Sequence, residues 1–86
     1  MMNIQFSLKG WDDYVYWQQI DKKIVKKINE LIKDISRSPY DGIGKPEPLK
    51  HALSGFWSRR ITDEHRLVYR VEGSVLYVVQ ARYHYE

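Results

Sequence analysis

The chain contains no cysteine. That absence excludes disulfide stapling and every thiolate-based zinc site. It also has no uninterrupted apolar stretch approaching the ~20 residues of a membrane-spanning helix, so no membrane span is expected. Histidine is sparse and scattered, at positions 51, 65 and 84, without HExxH spacing, and neither a metal nor a cofactor is expected. The opening stretch MMNIQF lacks the basic and apolar regions of a secretion signal, which makes a cytoplasmic location the expectation.

Aromatic residues, by contrast, are plentiful, with three Trp and seven Tyr among 86 residues. A chain this short forms one domain, expected to span residues 1–86, and buries only about 60 to 65% of its surface, so large rings are an efficient source of core area. The net charge of +3 permits attraction to nucleic acid without establishing it.

Residues 3–8 (NIQFSL) alternate, with Ile4, Phe6 and Leu8 on one side, and predict a half-buried strand that Gly10 ends. Trp11, Tyr14, Val15, Trp17 and Ile20 then recur at helical spacing, with Asp12 and Asp13 expected in the first turn. Asp21 reads as the N-cap of a second helix whose apolar stripe is Ile24, Val25, Ile28, Leu31, Ile32 and Ile35, closing before Pro39. With almost no linker, the two helices should form an antiparallel hairpin on one face of a sheet. Lys22, Lys23, Lys26, Lys27 and Lys33 occupy the opposite face of the second helix, either as a solvated surface or as a contact for a polyanion.

Residues 38–55 hold all three prolines and read as an ordered loop, with Glu47 fixed between Pro46 and Pro48, and with Leu49 and Leu53 available to pin it. Three strands are predicted after it, over residues 56–61, 65–71 and 75–83, joined as an antiparallel meander. The fold class is therefore α+β: an N-terminal strand and a helix hairpin on one face of a mainly antiparallel sheet of four to five strands. Side-chain alternation puts Leu67, Tyr69 and Val71 on one face and Arg66, Val68 and Arg70 on the other. In the last strand it puts Val75, Tyr77, Val79, Ala81 and Tyr83 on the mostly apolar face expected under the helices. The other face can gather Arg66, Gln80, Arg82, His84 and one of Arg59 or Arg60, a set suited to phosphate, although an open antiparallel face is also commonly just solvated.

Those residue types match what metal-independent RNA cleavage requires. A base must take the 2′-OH proton, a cation must stabilise the phosphorane, and an acid must protonate the departing 5′-oxygen. Glu47 can be the base, Arg66 the clamp, and His84 or Tyr85 the acid, with His84 favoured by an imidazole's ordinary titration range. Each also has a plainer role: Glu47 as an exposed loop acid, Arg66 paired to Glu64 or Asp63, His84 as a chain end. His51 and His65 read as structural, His65 falling on the apolar alternation of its strand.

The segments WDDYVYWQQIDKKIVKKINELIKDI, GKPEPLKHALSGFWSRRITDEHRLVYRV and RYHY together resemble the YoeB/Txe toxins of type II toxin–antitoxin systems, in the RelE-like superfamily, over residues 11–85. The resemblance implies a RelE-like, microbial-RNase-like domain that acts as a ribosome-dependent endoribonuclease, cutting mRNA in the ribosomal A site and so inhibiting translation. It places the base at Glu47, the transition-state arginine at Arg66 and the terminal pair at His84 and Tyr85, with Lys50 and Arg60 as further basic positions near the scissile phosphate. Arg82, on the phosphate-suited strand face, joins them as an expected RNA- or phosphate-binding position. Lys22, Lys23, Lys26 and Lys27 become candidates for ribosome contact. The implied partners are the 70S ribosome with its mRNA, a YefM-like antitoxin, a second toxin copy in a homodimer and a toxin–antitoxin hetero-oligomer, with operator DNA reached only through that complex. The family typically ends at the Tyr of the final HY, whereas here Glu86 follows. The alternative reading is a non-catalytic protein that binds the ribosome or joins an operator complex. A third is an RNase acting on free RNA, for which a carboxylate of ordinary acidity is a weak base unless the substrate is held in place.

Overall fold

The structure, a computed structural model, describes residues 2–84. Its elements are β1 (Asn3–Phe6), α1 (Leu8–Ile20), α2 (Lys22–Arg37), β2 (Glu47–Pro48), β3 (Trp57–Arg60), β4 (Arg66–Glu72) and β5 (Val75–Gln80), with a 3₁₀ turn over His51–Leu53. The strands form one sheet in the order β1-β5-β4-β3-β2. The β1–β5 pair is parallel and the other three are antiparallel. The two helices pack on one face, as the apolar stripes predict.

The first strand stops earlier than its alternation suggests. Ser7 caps α1: its hydroxyl accepts from the Gly10 N–H at 3.0 Å and donates to the Val79 carbonyl at 3.1 Å. Leu8 is therefore helical and 79% exposed instead of continuing the strand's inner face. Gly10 does not break the chain. It lies in the first turn of α1, where a Cβ would drive into the Val78 carbonyl oxygen, so its bareness lets the helix rest directly on β5. Asp12 and Asp13 consequently fall beyond the first turn, which carries no acid. Asp13 is buried and accepts from the Ala81 N–H at 3.0 Å.

Asp21 joins the helices by serving both. Its N–H closes α1 on the Trp17 carbonyl, and its carboxylate caps α2 by accepting from the Lys23 N–H at 3.0 Å. Tyr14 then donates across the hairpin to Asn29 at 2.7 Å. Ile28, Leu31, Ile32 and Ile35 bury the α2 stripe in a cluster with Trp17, Ile61, Leu67, Tyr69, Leu76, Val78 and Ala81. That apolar burial is the main favourable term in holding helices to sheet.

Alternation in β5 is interrupted. Leu76 faces Val71 and Val78 faces Tyr69, so Leu76 and Val78 lie under the helices, wholly buried. Val75, Tyr77 and Val79 therefore lie on the open face, opposite to expectation. The next pair is Val68 with Gln80, so Val79 is an extra residue, a β-bulge. The bulge resets the alternation: Gln80 turns to the open face and Ala81 returns to the core, as expected for that end of the strand. The strand ends at Gln80, short of the predicted Tyr83, which is half exposed and not on the core face.

A buried charge organises the loop between α2 and β2. Arg59 is completely buried, on the helix side of β3, so Arg60 takes the open face. The Arg59 guanidinium donates to Asp34 at 2.6 Å, to the Ser38, Asp41 and Ile43 carbonyls at 2.6, 2.8 and 3.1 Å, and to the Tyr69 hydroxyl at 3.2 Å. Tyr69 in turn donates to the Pro39 carbonyl at 2.6 Å, and burial raises its hydroxyl pKa. Gly42, at φ 117°, turns the loop tightly against the Asp34 carboxylate. Hydrogen bonds from Arg37 first, then Arg59 and the Ile43 amide, hold the Asp34 carboxyl at about 2, against an ordinary 3.8.

Two outcomes follow from this packing. Gly10→Ala should destabilise the fold by about 1 to 3 kcal/mol, because overpacking against Val78 outweighs alanine's helix propensity. A lowered urea midpoint is expected, and an unchanged one would show that α1 is not seated so closely. Asp34 has a depressed pKa in the folded state, so its contribution is complete above about pH 4 and is lost as pH falls toward 2. Asp34→Asn should therefore flatten the acid limb of stability in that window, and matching limbs in both proteins would refute the assignment.

Candidate functional site

The regular part of the site is the open face of β3 and β4. Cross-strand pairing sets Ser58 beside Val68 and Arg60 beside Arg66. On one flank β2 adds Glu47 opposite Ser58, and on the other β5 adds Gln80 opposite Val68. Glu47 is exposed and lies in this short edge strand instead of a loop. The prolines on both sides suit an edge, where a missing N–H costs no ladder bond. Leu49 anchors the segment from behind, buried, with its N–H donating to the Phe56 carbonyl at 2.9 Å, while Leu53 is only partly buried.

A cavity of about 400 Å³ opens there, lined by Lys45, Glu47, Ser58, Arg60, Arg66 and His84. Arg66 is held by the turn before its own strand, its Nη1 donating to the Thr62 and Asp63 carbonyls at 2.9 Å each. These are backbone contacts, so its charge is not neutralised by either carboxylate the sequence offered as a partner. Around one carboxylate stand three cations and one imidazole. Guanidinium groups match a phosphodiester in charge and in paired donors. A carboxylate among them opposes anion binding, so its presence suits proton transfer better than mere phosphate retention.

His84 reaches the cavity because the chain after β5 is tied at every step. Ala81 is held by α1 on both sides, its N–H to Asp13 at 3.0 Å and its carbonyl from Trp17 Nε1 at 2.8 Å. The Gln80 amide donates to the Arg82 and His84 carbonyls at 2.9 and 2.7 Å. Tyr83 donates its N–H to His65 Nδ1 at 2.7 Å and accepts from the Arg66 N–H at 2.9 Å.

Of the residues singled out from the sequence, Glu47, Arg60, Arg66 and His84 therefore line one cavity. Lys50 lines the adjoining one, about 420 Å³, which shares Glu47 and is walled by Pro48, Leu49 and Leu53. Arg82 turns aside to lie over the Tyr16 ring at 3.7 Å, beside a cavity that shares His84. Lys22 and Lys26 flank a groove with Tyr14, Gln18 and Asn29 on the helix layer, where Lys23 is exposed and Lys27 partly buried. Tyr85 lies outside the described residues. Two lining residues were not singled out: Lys45, next to the proline that precedes Glu47, and Ser58, which shares the alternation of Arg60.

A family model described as "YoeB-like toxin of bacterial type II toxin-antitoxin system" matches residues 6–85. Toxin YoeB of Escherichia coli K12 is 66% identical over 84 residues, covering 98% of this chain and all of the relative. Among solved structures, the YoeB dimer from Staphylococcus aureus superposes with a TM-score of 0.92 at 54% identity, covering 98% of each chain. A YoeB–YefM complex from the same organism superposes with a TM-score of 0.91 at 52% identity, covering 99% of each. The chain belongs to the YoeB family of toxins of bacterial type II toxin–antitoxin systems.

Proposed function

We propose that the open-face cavity cleaves RNA by internal transesterification, and that the substrate is mRNA presented in the ribosomal A site. The observation that carries this reading is the meeting of Glu47, Arg60, Arg66 and His84 around a single cavity, with Lys45 beside them. In the reaction Glu47 removes the proton from a ribose 2′-OH. The oxygen so exposed attacks the adjacent phosphorus as the bond to the 5′-oxygen breaks. Arg66, Arg60 and Lys45 stabilise the charge that builds on the phosphoryl oxygens. His84, with Tyr85 as the other candidate, supplies the proton that the leaving 5′-oxygen needs.

Glu47 is exposed on an edge strand, which fits a base whose substrate is aligned by a larger partner. The ribosome is that partner in this reading, and the lysines at 22, 23, 26 and 27 are its candidate contacts on the helix layer. Lys50 and Arg82 border the two adjoining cavities, where flanking nucleotides would lie. The solved YoeB–YefM complex and YoeB dimer of S. aureus support a YefM-like antitoxin and a homodimer for this chain. Operator DNA would be reached through the antitoxin, and a toxin acting on ribosomes works in the cytoplasm, as one domain over residues 1–86.

Primer extension in a purified translation system, with and without ribosomes, tests this. Cuts should fall within A-site codons, require ribosomes, and weaken by at least about 100-fold in Glu47→Ala and in His84→Ala while ribosome affinity stays within about threefold. Stalled ribosomes carrying intact mRNA, indifferent to both substitutions, would leave the non-catalytic binder. Cutting without ribosomes would leave a nuclease for free RNA.

A further inference from the structure

Immediately before Arg66 stands His65, a residue with no part in the reaction above. It is 9% exposed, its ring edge-on to Trp17 with centroids 4.7 Å apart and tilted against Tyr83 at 5.3 Å. Packing of that kind would suit any flat side chain. The polar contact is more selective. Its Nδ1 lies 2.7 Å from the Tyr83 backbone nitrogen. That nitrogen can only donate, so Nδ1 must hold a lone pair, which places the ring proton on Nε2, 3.4 Å from a Glu64 carboxylate oxygen.

Tyr83 adopts φ 62°, a left-handed conformation that a bulky residue keeps only when its surroundings impose it. Two contacts impose it: the His65 lone pair takes the Tyr83 N–H, and the Arg66 N–H donates to the Tyr83 carbonyl at 2.9 Å. One dipeptide thus supplies one of the cavity's three cations and fixes both backbone groups of the residue before His84. We propose that His65 is a positioning residue: its Nδ1 lone pair holds the Tyr83 amide and thereby sets where His84 stands relative to Arg66. The role rests on the nuclease reading of the cavity, although the hook itself can be measured without it.

The Asn and Gln replacements separate the lone pair from the packing. Asn places a carbonyl oxygen near the position of Nδ1, whereas Gln places one near Nε2 and leaves the Tyr83 amide without its acceptor. Amide exchange in the free protein reads the hook, and single-turnover mRNA cleavage on ribosomes reads its consequence. His65→Gln should lose protection at the Tyr83 amide and cut about 10- to 100-fold more slowly at unchanged ribosome affinity, and His65→Asn should recover most of both. If the Gln protein is too unstable to assay, His65→Phe, which keeps the ring contacts and has no acceptor, takes its place in the same comparison. Equal rates for the Asn protein and the acceptor-less one would overturn the proposal, as would Tyr83 protection that survives loss of the acceptor. Wild-type protein that protects Tyr83 but cuts no mRNA would instead overturn the nuclease reading and leave the hook standing.

Discussion

The rest of the structure depends on the burial of one guanidinium. Arg59 is removed from water on the core side of β3, and such a charge is tolerated only when its donors are met. Here they are met by a carboxylate from α2, a phenol from β4 and three carbonyls of the intervening loop. One side chain therefore ties helix layer, sheet and loop together. Any movement of residues 38–43 would leave a buried cation short of acceptors, which is the energetic reason a glycine- and proline-containing segment stays ordered. The next backbone contact, from the Arg60 N–H to the Gly44 carbonyl at 2.7 Å, carries that order to Lys45 and the cavity.

The site is built from regular and irregular parts in a clear division. β3 and β4 give a rigid floor and two paired arginines. The two groups proposed to move protons arrive from opposite flanks, Glu47 on a two-residue edge strand and His84 on a chain end beyond β5. Neither flank would hold its place by ladder bonds alone. The first is anchored by Leu49 and the Arg59 loop, the second by Asp13, Trp17, Gln80 and His65. Apart from Gln80, these anchors lie on the core side of the sheet, so substitutions away from the cavity can change the alignment of base and acid.

Much of this was legible in the sequence where the signal is periodic or chemical. The α2 stripe, the Asp21 cap and the meander come from spacing and residue type, whereas Glu47 joins Arg66 and His84 only through the chemistry that RNA cleavage requires and the resemblance to the YoeB/Txe toxins. What was not legible came from single contacts across the fold. Ser7 outcompetes strand continuation because it can cap α1 and bond Val79 at once. Gly10 looked like a breaker, yet its smallness serves helix-to-strand contact. The Val79 bulge inverted the facing of Val75, Tyr77 and Val79, since alternation assumes an unbroken ladder. Arg59 and Arg60 could not be told apart by charge, only by which side of β3 faces Asp34.

The chemical identity of the RNA ends tests the central claim most directly. Attack by the 2′-OH leaves a 2′,3′-cyclic phosphate, or the phosphate it hydrolyses to, on the upstream fragment and a 5′-hydroxyl on the downstream one. Mass spectrometry of fragments released from programmed ribosomes should find those ends. A 3′-hydroxyl upstream with a 5′-phosphate downstream would mean that water, not the ribose, attacks the phosphorus, and would contradict the roles given to Glu47 and His84.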